Sequence, residues 1–150
     1  MKKKLIFICL FLIIPIKAFA LIEVDITRGN LNPLPLAVSP LSIDENSKKS
    51  FEKILDKENI GSEISIIVEN NLRTSGLFNP LNKDAFLQAP DIANLKPRFE
   101  DWNLIKAQAL ITGKVNFDNE KLRVEFRLWD VLAGKEMMAL AFTTVPNNWR

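Results

Sequence analysis

The chain has 150 residues, 20 of them basic and 18 acidic, with no histidine, no tyrosine and a single cysteine. Without histidine, Ser-His-Asp and Cys-His nucleophile systems and His-ligated zinc sites are impossible. Any chemistry would have to rest on carboxylates, lysine or hydroxyls.

The chain opens Met-Lys-Lys-Lys, and Leu5 to Ile14 come next without a polar side chain. Pro15 ends that run, and Ala18-Phe19-Ala20 fits the small-x-small pattern of a cleavage site. A basic head, a short apolar core and a small-residue site predict a signal peptide over 1–20, cut after Ala20, with the mature protein exported and not inserted in a membrane. A spanning helix needs about 20 apolar residues, roughly twice this run. Lys2, Lys3, Lys4 and Lys17 lie in the signal and no acid does, so residues 21–150 hold 16 basic and 18 acidic residues, net −2. No basic stripe remains for nucleic acid or anionic lipid. The cysteine, Cys9, lies inside the apolar run. The mature part therefore has no disulfide and depends on packing, which about 130 residues can supply.

From Leu21 to Thr27 apolar and polar residues alternate: Ile22, Val24 and Ile26 on one side, Glu23, Asp25 and Thr27 on the other. That is the pattern of a strand with one apolar face. Gly29-Asn30, Pro33 and Pro35 detach it from the next apolar run, which predicts an extended segment over 21–35. Leu36-Ala37-Val38 reads as a short buried strand stopped by Pro40. The polar stretch Asp44 to Asn59 allows either a short surface helix, with Phe51, Ile54 and Leu55 at helical spacing, or a flexible loop. Ile60, Ile64, Ile67, Val68 and Leu72 form one helical stripe, and Gly76 sits where a left-handed cap belongs. Phe99 to Lys106 suggests a short helix with Asp101 in its first turn. Ala109 to Phe117, Leu122 to Trp129 and Met137 to Val145 read as three strands joined by tight turns, an antiparallel meander. Met138, Leu140 and Phe142 share one face of the third. Pro146 with Asn147 and Asn148 signals a helix start.

The candidate chemistry is thin. Glu100-Asp101 and Asp118 with Glu120 are the acidic clusters, and each has a structural reading, as a helix start and a turn. No glycine-rich phosphate loop exists among five scattered glycines. No catalytic, cofactor or metal site is expected. These residues predict a small secreted α/β (α+β) module, a binding domain in preference to an enzyme. Its last third is expected to form a C-terminal three-stranded antiparallel meander.

Leu72-Arg-Thr-Ser-Gly-Leu-Phe-Asn-Pro-Leu81 resembles the helix-to-loop signature of the N-terminal domain of the TolB family, periplasmic components of the Tol–Pal envelope system. The order of features agrees: an exported precursor, an acid-bearing extended segment, a strand ending in Ser39-Pro40, and Trp102 ahead of Ile111-Thr112-Gly113-Lys114-Val115. The resemblance spans Leu21 to Arg150 and places the domain at 36–150. It implies an α/β (α+β) fold, a mixed sheet that carries the C-terminal meander and packs against about two helices, and a non-enzymatic periplasmic module for outer-membrane integrity and division. It also implies that the segment holding Ile22, Glu23, Val24, Asp25 and Ile26 docks on the C-terminal domain of TolA. Family members continue through a helix, matched in its start by Trp149-Arg150, into a β-propeller that carries the surface for Pal. The sequence holds neither, so Pal is not an expected partner, and a non-functional fragment of a split gene is the alternative. A carboxylate hydrolase such as a glycosidase is the rival from another class.

Overall fold

Leu36, Ala37 and Val38 are each 2% exposed or less. A continuous apolar run of this kind suits a strand covered on both faces. The computed structural model describes residues 32–55, 59–91, 96–118 and 120–150, with Asp118 described by its backbone alone. In it this run forms β1 (Leu34–Val38), paired in parallel with β3 (Phe78–Pro80) on one side and β4 (Ala109–Asp118) on the other. β5 (Lys121–Asp130) and β6 (Lys135–Thr144) extend β4 as antiparallel neighbours, giving the order β3-β1-β4-β5-β6. A two-residue strand, β2 (Ser42–Ile43), also pairs with β4, so the mixed sheet has six strands. The expected signal peptide, with its expected cleavage residues Ala18 and Ala20, and the alternating segment lie outside the described residues.

The polar stretch after β2 is a helix, α1 (Glu45–Leu55). Asp44 decides it. Its Oδ1 accepts hydrogen bonds from the backbone N–H groups of Asn46 and Ser47 at 3.0 and 2.9 Å, and its Oδ2 accepts from the Ser47 hydroxyl at 2.6 Å. That satisfies donors which a helix start leaves open. Ser47 Oγ in turn accepts from the Phe117 N–H at 2.9 Å, fastening the helix to β4. Phe51 points into the core and meets Phe117 edge-on at 5.6 Å, whereas Ile54 is exposed.

The second helix, α2 (Ile60–Thr74), buries Ile60 and Ile64, while Val68 and Leu72 pack on Leu36, Val38 and Ala109. Gly76 comes after it with φ +73°, in the left-handed conformation expected of it. Two other glycines have a packing reason that spacing did not reveal. A Cβ on Gly61 would collide with the Leu41 carbonyl oxygen, and one on Gly113 with the Glu125 carbonyl oxygen and the Leu41 side chain.

α1 and α2 cover one face of the sheet, where Leu41, Phe51, Ile60, Ile64, Val115, Leu122 and Val124 form a core cluster. One end of the opposite face is covered by a third helix, α3 (Phe99–Leu104), through Trp102, which packs with Ala37, Leu110, Ala107 and Val131. Trp102 is 1% exposed, and its indole N–H donates to Gln88 Oε1 at 2.9 Å. α3 stops earlier than its sequence suggested, because Lys106 adopts φ +62° and turns the chain into β4. The signal at Pro146 yields a single 3-10 turn, Pro146–Asn148, whose capping position is Val145 and not an asparagine.

Candidate partner-binding site

The five residues expected to meet a partner, Ile22, Glu23, Val24, Asp25 and Ile26, precede the described residues. What the structure supplies is their anchor. Asn32 and Pro33 are exposed, and from Leu34 onward the chain is held on both sides. The Leu34 N–H donates to the Leu77 carbonyl at 2.9 Å, and the Pro35 carbonyl accepts from the Gln108 N–H at 2.9 Å. The segment thus leads into β1 at a point where the backbone is clamped by the residues that precede β3 and β4.

The acidic clusters do not converge. Asp101 lies in the first turn of α3, where its carboxylate takes the Arg98 guanidinium at 2.6 and 2.8 Å, and Glu100 is exposed. Asp118 and Glu120 flank the β4–β5 turn, Glu120 with φ +61°. Each cluster therefore serves a helix start or a turn. Asp130, 2% exposed, accepts a hydrogen bond from the Ala133 N–H at 2.9 Å and shapes the β5–β6 turn. Among the described residues no three acidic, histidine or cysteine side chains gather as metal ligands.

Two carboxylates titrate away from their ordinary range. The Ser47 hydroxyl and the backbone N–H groups at the start of α1 hold Asp44 below its usual value, against a smaller opposing effect of burial. For Glu125, burial works to raise the pKa, but Arg123 at 3.0 Å and Lys114 at 3.5 Å outweigh it and the net direction is downward. Both are tuned by structural partners, and neither shares a cleft with a second acid that could trade protons with it.

A feature the sequence pattern did not disclose is an open apolar groove beside α2. Val68, Ile111, Phe126, Leu128, Met138 and Leu140 line it. It continues over Val124 and Phe142 to Trp149 at the far end. Alternation in β6 placed Met138, Leu140 and Phe142 on one face, but all three are about half exposed, at 52%, 48% and 56%. Period-2 patterning reports which side of a strand is apolar and says nothing of whether anything lies on it. No helix among the described residues is long and apolar enough to cross a membrane.

Comparison with known proteins gives the family. Residues 22–137 match the family model of the TolB amino-terminal domain. The match begins at Ile22, so it takes in nearly all of the alternating segment. The Tol-Pal system protein TolB of Pelagibacter ubique (strain HTCC1062) is 84% identical over 141 residues, which is 94% of this chain and 32% of that relative. The chain thus spans about a third of the length of that curated relative. Among solved structures, TolB from Acinetobacter baumannii superposes with a TM-score of 0.56 at 18% identity, covering 79% of this chain and 25% of that one. The C-terminal domain of LpoB from Escherichia coli superposes at 0.54 and 13% identity, covering 79% of this chain and 87% of that one. Lipoprotein GNA1162 from Neisseria meningitidis gives 0.53 and 17% identity, with 77% and 84% covered. At these identities the structural likenesses speak for the fold alone, which among the described residues is three α-helices on a six-stranded mixed sheet. The family match over most of the chain and the 84% identical relative make the chain a member of the TolB amino-terminal domain family.

Proposed function

We propose that this domain is an interaction module of the Tol–Pal system, working in the periplasm after export and supporting outer-membrane integrity and invagination during division. It is not an enzyme: TolB is a component of the Tol–Pal system. The observation that carries the reading is the 84% identity to a Tol-Pal system protein TolB across nearly the whole chain. Residues 21–32 dock on the C-terminal domain of TolA. An extended peptide with one apolar side suits addition to the edge of a partner's sheet, where main-chain hydrogen bonds set the register and alternate side chains fill pockets. Ile22, Val24 and Ile26 are those side chains, and Glu23 and Asp25 face water or a basic partner surface. Pal binds elsewhere, on the propeller of longer family members, and this domain alone does not retain it.

The test is deletion of residues 21–32 from the mature protein, together with Val24→Lys. Binding to the TolA C-terminal domain, measured by calorimetry, should vanish with the deletion and weaken strongly with Val24→Lys, while the melting temperature moves little. If the deletion unfolds the domain and Val24→Lys still binds TolA normally, the segment belongs to the core and the docking site lies elsewhere. Retention of Pal by this domain through high-salt washing would contradict the second part of the reading.

A further inference from the structure

We draw no further inference here: the strongest candidate, the apolar groove between α2 and the β5–β6 hairpin lined by Val68, Ile111, Phe126, Leu128, Met138 and Leu140, carries none, because nothing in the structure shows what covers it.

Discussion

Val38, Ile111, Leu128 and Met138 stand in one registered row across β1, β4, β5 and β6, on the same face of the same sheet. Val38 is 2% exposed and Met138 is 52% exposed. A second row repeats the contrast, from Val115 at 0% through Val124 at 7% to Phe142 at 56%. The side chains are alike in chemistry and in orientation. They differ in their distance from α1 and α2, which cover β1, β4 and the near part of β5 and leave β6 open. Burial in a layered fold is a property of two elements together, and a strand that is correctly patterned contributes little until a second layer removes its apolar face from water. The closed half should therefore hold nearly all of the domain's stability, and mutations should fall into two classes by their place in a row.

The sharpest comparison pairs two phenylalanines. Phe51 is 1% exposed under α1 and Phe142 is 56% exposed on β6. Phe51→Ala should cost about 3–5 kcal/mol, the usual range for emptying a buried aromatic site. Phe142→Ala should cost less than about 1 kcal/mol, since surface changes are mostly small. Urea titrations at constant m-value would measure both. Equal losses would mean that the β6 face is covered in solution and that the two halves are not different.

Gly113→Ala probes the closed half from the backbone side. The added Cβ meets the Glu125 carbonyl oxygen and comes within 2.8 Å of Leu41 Cδ2. Overpacking of this kind typically costs about 1–3 kcal/mol. The β4–β5 ladder cannot yield without disturbing the Leu41–Val115–Val124 cluster. An unchanged melting temperature would show that β4 and β5 can separate at no cost, contrary to a well-packed interior.

Smaller effects are expected at Asp44, on the rim of the closed half. Losing a helix cap costs about 1 kcal/mol, so Asp44→Ala should lower stability by roughly that much at neutral pH. The folded-state pKa of Asp44 is depressed, so its contribution is fully present above the unfolded value, near 3.8, and is lost as the pH falls through the folded one. Glu125 has the same sign. Parent and Asp44→Ala curves should accordingly converge as the medium is acidified. A gap that stays constant down to strongly acidic pH would assign the loss to something other than the charged cap.

The strands of the meander, the long helix and its glycine cap were legible because each rests on local periodicity or on a conformation that few residues adopt. α1 was not, because its stretch is polar and the deciding bond runs from Phe117 to Ser47, 70 residues apart in sequence. Gly61 and Gly113 were likewise opaque: what they make room for is Leu41 and Glu125, brought close only by the fold. The roles of Glu100, Asp101, Asp118 and Glu120 as helix-start and turn residues were legible from position. The residues expected to meet TolA were chosen from alternation and from the family resemblance, and their anchor at Leu34 is what the structure adds. The open groove could not have been read at all, since an apolar strand face looks the same in sequence whether or not another layer lies above it.

The smallest expected effect tests that last point directly. Leu140→Thr with Phe142→Thr replaces two half-exposed apolar side chains by a β-branched residue that suits a strand. The ladder with β5 keeps its register, because position 140 still faces Phe126 and position 142 still faces Val124. What changes is the apolar surface offered to water. The edge-on contact between Phe126 and Phe142, at 6.3 Å, is lost, and contacts of this sort contribute about 0.5–1.5 kcal/mol when well buried, less here. Stability should thus fall by no more than about 1 kcal/mol, as surface changes usually do. Binding of the dye ANS, which reports exposed apolar surface, should fall markedly in the same variant under native conditions. The opposite pattern, a large loss of stability with dye binding unchanged, would mean that β6 is structural in the way β4 is and that the division of this sheet into a closed and an open half is mistaken.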